Sequence, residues 1–339
     1  MKEIVKPLLT WFELNKRSLE WRENPTAYTI LISEVMLQQT RAEAVRPYYV
    51  RFLEELPSFK ALSECPDEKL FKLWEGLGYY NRARNLKKCA IKVVEEHQQI
   101  FPKDYEQAIA LPGIGAYTCG AILSRTYNLP YAAVDGNVLR VLSRYLCSEM
   151  DILKDTTKKY FKDELEKIIP SEAGMFNEAL MELGATVCMP KVYLCSACPL
   201  QQNCQARKTN TQALFPKKEL KKEKKIFEYT VLFLTDGVKY AMFSKKDGVL
   251  KGLSSPILVE AFLTSYEALE YVSSLGFDPI REVKLEDKVH IFTHQKWFMQ
   301  GYKVYVRNLL DAPSYTAEEI KNRLGVPTCF KQFLTEVLS

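Results

Sequence analysis

At 339 residues the chain exceeds the usual size of a single domain, and 47% apolar residues are enough to fill two cores. No run approaches the roughly 18 to 20 apolar residues that cross a bilayer, and the segment from Met1 to Arg22 has no long apolar stretch, which argues against a helical membrane protein and against secretion. The formal charge is a modest +5, but between Arg207 and Lys225 eight Lys or Arg residues stand against Glu219 and Glu223, so the basic charge is concentrated there.

Residues 1–208 carry 3.6-residue apolar patterns, as in YTILISEVML, DEKLFKLWEGLG and VLRVLSRYL, with stops at Pro57, Gly76, Gly78, Pro112 and Pro130. They predict an all-α region. The stretch 209–226 is basic and reads either as a solvated linker or as a segment lying along a phosphate backbone. From Phe227 the texture changes: EYTVLFLT, VKYAMFS, REVKLED, HIFTH and KWFMQGYKVYV are short, aromatic and β-branched, while SYEALEYVSSLG and TAEEIKNRLG look helical. Residues 227–339 therefore predict a small α+β domain.

Within the helical region, WRENPTAYTILISEVMLQQT sets Glu34 among Ile30, Leu31, Ile32, Val35, Met36 and Leu37. A carboxyl group so surrounded can have a raised pKa and donate a proton near neutrality. Equally, Glu34, Gln38 and Arg41 fall at i, i+4 and i+7, the spacing of one exposed polar stripe. LPGIGAYTCGAIL has the form of a hairpin between two helices, about 106–123. There Gly113 and Gly115 permit a tight turn and leave helix N-terminal amides available to an anion such as a DNA phosphate. VDGN places Asp135 or Asn137 as an N-cap of the helix VLRVLSRYL. Trp21 and Tyr79, taken alone, read as core aromatics.

Four cysteines, Cys188, Cys195, Cys198 and Cys204, are spaced C-x6-C-x2-C-x5-C within 17 residues and can wrap one metal centre, by spacing either zinc or an iron-sulfur cluster. Cys65, Cys89, Cys119, Cys147 and Cys329 are scattered singly and read as reduced thiols.

The cysteine spacing together with the upstream hairpin resembles the 4Fe-4S loop of the endonuclease III superfamily of DNA repair glycosylases. SEVMLQQT, GLGYYNRARNL, LPGIGAYT and VDGN together resemble the MutY-type adenine DNA glycosylases over most of residues 10–206. That resemblance implies a multidomain protein: an all-α helix-hairpin-helix glycosylase region with an iron-sulfur loop at 188–204, followed by a small α+β Nudix-like domain. Carried over by position, it implies that Glu34 protonates N7 of a flipped adenine, Asp135 stabilises or captures the sugar cation, Asn137 orients the carboxylate or the nucleotide, and Tyr117 hydrogen-bonds in the same pocket. Where the bifunctional branch of the superfamily carries a Schiff-base lysine this chain has Tyr117, which implies base hydrolysis without strand cleavage. Trp21 and Arg22 resemble an adenine-pocket pair, and Gln39, Thr40 and Tyr79 resemble residues that enter the duplex or contact it beside the orphaned base.

HIFTHQKW resembles the family's loop that reads the base opposite the adenine, with Phe292, Thr293 and His294 at its three positions. The Nudix catalytic signature is absent, so pyrophosphatase activity is not expected. SSPI after VLKGL departs from the aromatic and acidic segment that many members carry. The implied partner is double-stranded DNA with A:8-oxoguanine or A:G mispairs, the implied cofactor a 4Fe-4S cluster, the implied state a monomer, and the implied compartment a bacterial cytoplasm, at the nucleoid. Two other readings stand beside this one: a superfamily glycosylase acting on thymine, uracil or oxidised pyrimidines, and a catalytically silent cluster-containing DNA-binding protein.

Overall fold

The computed structural model describes residues 1–219, 224–244, 253–292 and 294–338. They form two compact units that interleave along the chain, Met1–Glu64 with Arg84–Leu220 and Cys65–Ala83 with Lys221–Ser339. Among the described residues no helix is long and apolar enough to cross a membrane.

The first unit is helical. Its helices are α1 (Val5–Asn15), α2 (Ala27–Leu37), α3 (Ala42–Glu55) and α4 (Phe59–Glu64). After α5 (Asp67–Leu73), which belongs to the second unit, it continues with α6 (Asn81–Glu96, whose first turn falls in the second unit), α7 (Tyr105–Ile109), α8 (Ala116–Tyr127), α9 (Gly136–Leu146), α10 (Asp155–Glu166), α11 (Ala173–Thr186) and α12 (Gln205–Lys208). One core gathers Leu8 and Phe12 of α1, Val138 and Leu142 of α9, Phe161 of α10, and Phe176, Leu180 and Leu183 of α11.

Helix α2 starts at a reciprocal cap in which Thr26 Oγ1 accepts from Thr29 N–H at 3.1 Å and Thr29 Oγ1 from Thr26 N–H at 2.8 Å. Every residue from Ala27 to Met36 except Thr29 is buried. A helix apolar nearly all round must be surrounded by protein. The exposed polar stripe is thereby ruled out for Glu34, which is 3% exposed.

The hairpin joins α7 to α8. Asp104 caps α7 by accepting from Gln107 N–H at 2.9 Å, whereas Gly115, the N-cap of α8, offers no side chain to its first turn. Gly113 sits at φ +78°, and a Cβ there would lie 2.7 Å from Asn85 Cβ, so both conformation and close approach require glycine. At its far end α8 closes on Asn128 in the left-handed region, φ 56°.

Part of the basic stretch is fastened to the helical unit. Arg144 Nε donates to the carbonyls of Gln212 at 3.0 Å and Phe215 at 3.1 Å, Ile152 N–H donates to Lys217 O at 3.2 Å, and Lys154 pairs with Glu219 at 2.7 Å.

The second unit is built on a sheet of β1 (Lys225–Thr235), β2 (Lys239–Ala241), β5 (Ile257–Val259), β6 (Pro279–Ile291), β7 (Gln295–Val306) and β8 (Ser314–Thr316), with a ribbon of β3 (Phe243–Ser244) and β4 (Ser254–Ser255). Strands run β6-β7-β1-β2-β8, with β5 also paired to β1. The β1–β7 pair is parallel and the β6–β7 pair antiparallel. REVKLED and the His290–Ile291 start of HIFTH fall on the single strand β6, with a register shift between Leu285 and Lys288.

Central strand β1 alternates between two cores. Val231 and Phe233 join Trp297, Met299, Phe330 and Phe333, while Leu232 and Leu234 join Ala268, Val272 and Val304. Burial on both faces explains its unbroken apolar run. Helix α13 (Ser265–Ser274) serves the second core, and α14 (Ala317–Asn322) and α15 (Thr328–Val337) the first. Gly301 lets Phe333 approach β7, since a Cβ would lie 2.7 Å from its ring. Residues 65–83 join this unit through Glu75, whose Oε1 accepts from Val326 N–H at 3.3 Å and pairs with Lys331 at 3.0 Å.

The two hairpin glycines separate conformation from space. Gly113→Ala is expected to cost about 1 to 3 kcal/mol, because it is strained at positive φ and pushes on Asn85. Gly115→Ala, at φ −98° with nothing within 4 Å of its Cβ, should cost little. Thermal unfolding of the two full-length variants checks the order.

Candidate active site

A cleft of about 1030 Å³ in the helical unit is lined by Glu34, Tyr117, Asp135 and Asn137, and also by Trp21, Arg22, Gln39 and Thr40. Four separate pieces of sequence thus meet in one place. The hairpin is what brings Tyr117 there: it is the second residue of α8, and its hydroxyl donates to Glu34 Oε2 in a very short hydrogen bond, with Met181 Sδ 3.5 Å away.

The other oxygen of Glu34 has a partner the sequence did not disclose. Arg125 Nη1, about two and a half turns along α8 from its start and with a side chain 4% exposed, donates to Oε1 at 2.8 Å. Burial raises the Glu34 carboxyl above the usual carboxylate range. The Arg125 charge and the Tyr117 hydroxyl oppose that rise, and the negative charges of Asp135 and Glu178 add to it. Burial, together with the Glu34 and Asp135 charges, pushes Tyr117 well above the ordinary phenol value, so its hydroxyl keeps its proton and donates a hydrogen bond to Glu34.

Arg125 opens a ladder of alternating charge that runs from the buried interior to the partly exposed Arg17. Its Nη2 lies 3.3 Å from Glu178 Oε1 and donates to Trp21 O at 3.1 Å. Glu178 accepts from Arg22 Nε at 3.0 Å, and Arg22 Nη2 reaches Glu182 Oε2 at 3.0 Å. Glu182 in turn takes Arg17 Nε at 2.7 Å and the Arg17 backbone N–H at 3.1 Å. Three carboxylates and three guanidiniums alternate, so each buried charge has an opposite neighbour. Of this set only Glu34 and Arg22 were expected in the site. The Arg22 guanidinium is committed to Glu178 and Glu182, and Trp21 is a buried ring packed edge-on against Tyr49 at 5.6 Å.

Asp135 is the N-cap of α9. Its Oδ1 accepts from Asn137 N–H and Val138 N–H, both at 2.8 Å, and its Oδ2 from Asn137 Nδ2 at 2.7 Å. Asn137 Oδ1 in turn accepts from Arg140 Nη2 at 2.8 Å. Burial raises Asp135, against hydrogen bonds from Val138 and Asn137 and the Arg140 charge. The N-cap reading and a position on the cleft wall thus both hold for this residue.

On the cleft wall, Gln39 follows α2 in the left-handed region at φ 59°. Tyr79 (φ 49°, 49% exposed), Phe292 and His294 belong to the second unit. Phe292 lies in the β6–β7 turn with its ring 4.6 Å from Trp297 and 4.5 Å from His290, and His294 is exposed. Thr293 lies outside the described residues.

Cys188, Cys195, Cys198 and Cys204, all free thiols, line one small cavity with Arg144, Tyr193 and Gln212. Arg144 Nη1 lies 3.3 Å from Cys188 Sγ and Gln212 Nε2 lies 3.6 Å from Cys195 Sγ, donors of the kind that favour anionic sulfur. Burial pushes Cys198 up to about 12 and also raises Cys204, with the neighbouring thiols adding to both. Among the described residues no group of three or more His, Cys, Asp or Glu side chains is placed to hold a metal ion. Four sulfurs around a shared cavity with cationic and amide donors fit a polynuclear cluster by donor chemistry.

The helical unit with its glycine hairpin and acidic cleft defines a class. Residues 32–171 match the profile of the HhH-GPD superfamily base excision DNA repair proteins. A solved thermostable thymine-DNA glycosylase superposes with a TM-score of 0.57 at 27% identity, covering 61% of this chain and 96% of that one. An adenine DNA glycosylase of Buchnera aphidicola subsp. Schizaphis graminum is 33% identical over 295 residues, 85% of this chain and 83% of that protein. A second, from Buchnera aphidicola subsp. Acyrthosiphon pisum, is 39% identical over 218 residues, 63% of this chain and 62% of that protein. The chain belongs to the adenine DNA glycosylase family.

Glu182 yields a prediction with a defined sign. Burial alone would raise its carboxyl, but Arg17 and Arg22 override that and hold it below the ordinary range. A depressed folded pKa contributes stability that is present above the unfolded value of about 4.3 and is lost as pH falls through the folded value. Glu182→Gln should therefore cost about 3 kcal/mol at neutral pH, with the difference from wild type shrinking below about pH 4. Melting temperature against pH for both proteins measures this.

Proposed function

We propose that the chain hydrolyses the N-glycosidic bond of adenine mispaired with 8-oxoguanine or guanine in double-stranded DNA and leaves an abasic site. The single observation that carries the reading is one cleft that holds the buried carboxyl of Glu34, paired to Tyr117 and Arg125, together with the carboxylate of Asp135. Family membership supports the choice of adenine, because the relative named an adenine DNA glycosylase matches across both units. The likeness to a thymine-DNA glycosylase spans 61% of the chain and favours a thymine substrate as the second reading.

In the proposed mechanism Glu34 gives its proton to N7 of a flipped adenine, which turns the base into a neutral leaving group. Asp135, oriented by Asn137 and the first turn of α9, faces the cation that develops at C1′ and stabilises or captures it before water completes hydrolysis. Tyr117 keeps the Glu34 carboxyl in place. Trp21 and Arg22 form the wall of the adenine pocket, while Gln39, Thr40 and Tyr79 hold the gap left by the extruded base. The hairpin amides after Gly113 and Gly115 take a phosphate.

Cys188, Cys195, Cys198 and Cys204 would hold a 4Fe-4S cluster that fastens the loop after α11 and shapes a surface for DNA phosphates. The second unit is assigned a Nudix-like role without pyrophosphatase chemistry, with Phe292, Thr293 and His294 reading the opposite base. Tyr229, Trp297, Phe292 and His290 form a run of ring contacts, from 4.5 to 4.6 Å between centroids, that would brace such a loop.

Single-turnover assays on duplexes that differ only in an A:8-oxoguanine, A:G, T:G or U:G pair test the assignment. Adenine release from the first two supports it, and release of thymine or uracil alone overturns it. Glu34→Gln should lower adenine release by about 10² to 10⁴ while binding of the mispaired duplex is kept, because the amide has no proton of suitable acidity. Borohydride should trap no covalent complex with the abasic product, since Tyr117 offers no amine. Strand scission by wild type at the rate of base release would contradict that. Protein purified anaerobically should carry iron and sulfide, and Cys198→Ser should reduce both along with DNA affinity.

A further inference from the structure

The salt bridge between Arg125 and Glu34 raises a chemical question, because a carboxylate held by a guanidinium is in the wrong protonation state to act as an acid. Arg125 Nη1 holds Oε1 at 2.8 Å while Tyr117 occupies Oε2, so both oxygens of Glu34 are already accepting. Arg125 also has somewhere else to go. Glu178 Oε1 lies 3.3 Å from its Nη2, and Trp21 O anchors the same nitrogen at 3.1 Å. The guanidinium is therefore shared between the carboxyl proposed to react and one that does not.

We propose that Arg125 is the positioning residue of the general-acid step: it receives the Glu34 carboxylate once the proton has left, turns to Glu178 when Glu34 is protonated, and so sets the pH above which base release falls. The inference rests on the adenine-releasing role proposed for Glu34. The proton balance is simple. Glu34 takes a proton from solvent and transfers it to a ring nitrogen of the flipped base, and the carboxylate left behind returns to Arg125. Because the arginine charge is present before and after, it weakens the hold of Glu34 on its proton and makes the transfer more favourable.

The other groups that face Glu34 act in known directions. From α8 come Arg125 and the Tyr117 hydroxyl, from the head of α9 Asp135, and from α11 Glu178. From α3 the Tyr49 phenol feels the Arg125 charge, and from the 3-10 turn Glu20–Arg22 the Arg22 guanidinium binds Glu178, limiting how fully Glu178 can draw Arg125 away. Among the described residues Arg125 is the cation in direct contact with the Glu34 carboxyl. Opposite charges at such distances typically lower a carboxyl pKa by about 1 to 3 units, so removing the cation has a predictable sign.

The test is the pH profile of single-turnover adenine release by the full-length protein on an A:8-oxoguanine duplex, measured for wild type, Arg125→Met, Arg125→Lys and Glu178→Gln. In Arg125→Met the alkaline limb should move up by about 1 to 3 pH units while the acid-side plateau falls, because Glu34 then holds its proton longer and gives it up less readily. Arg125→Lys, a point charge that cannot serve two carboxylates at once, should restore part of the wild-type limb. Glu178→Gln should move the limb the other way, to lower pH, since Arg125 then serves Glu34 alone. Arg125→Lys, which keeps a cation at this place, keeps the inference testable even if Arg125→Met fails to fold: a limb that stays at the wild-type position with a lower rate at every pH would overturn it. A uniform loss of rate at every pH with all limbs coincident would overturn the role of Arg125 and leave it structural. Absence of adenine release by wild type would instead overturn the underlying assignment of function.

Discussion

A carboxyl group inside an apolar helix is the constraint around which the helical unit is arranged. Glu34 is carried on α2, which is buried nearly all round, and burying a bare carboxylate would cost several kcal/mol. Helix α8 answers that cost twice, with Tyr117 from its first turn and Arg125 from its last. The hairpin glycines matter for the same reason, since the turn at Gly113 sets where α8 begins and hence where both partners fall. The compensation propagates further: Arg125 shares Glu178 with Arg22, Arg22 bridges Glu178 to Glu182, and Glu182 ends the chain of charge at Arg17. The cleft is polar on one wall because the helix behind it is not.

Asp135 shows a different economy. One carboxylate closes the open amides of α9 and also stands in the cleft, oriented by Asn137, which Arg140 holds in turn. The N-cap geometry leaves little rotational freedom, and a carboxylate that does not need to move is what the proposed stabilisation of a short-lived cation requires. Arg140 Nε also donates to Cys188 O at 2.8 Å, so the first of the four clustered cysteines and the Asp135 wall are supported from the same helix. Loss of the loop would thus be felt at α9 without any chemistry passing through it.

How much of this was legible in the sequence depends on whether the relevant neighbours are close in the chain. The cysteine run, the glycine turn and the Asp135 cap are local patterns and could be read directly. Glu34 was ambiguous, because i, i+4, i+7 spacing with Gln38 and Arg41 describes an exposed face as well as it describes anything else, and only burial against α8 decides between the readings. Arg125 left no signal: its partner lies 91 residues earlier, and an arginine in the last turn of a helix ordinarily serves the helix dipole. Residues 65–83 look like any other helical stretch, and their place in the second unit depends on Glu75 meeting Val326 and Lys331, far along the chain. The strand breaks expected within 281–294 misread a register shift as a boundary.

The account stands on the protonation behaviour of one buried side chain, and that can be observed without turnover. Isotope-edited infrared spectroscopy of the full-length protein, with glutamate carboxyls labelled and Glu34→Gln as the subtraction reference, follows the Glu34 carboxyl through a pH titration. The account predicts a protonated carboxyl band that persists above the ordinary glutamate midpoint of about 4.3 and disappears only at higher pH. A Glu34 band that titrates at or below that midpoint would mean that Arg125 and Tyr117 outweigh burial, leaving Glu34 without a proton to give.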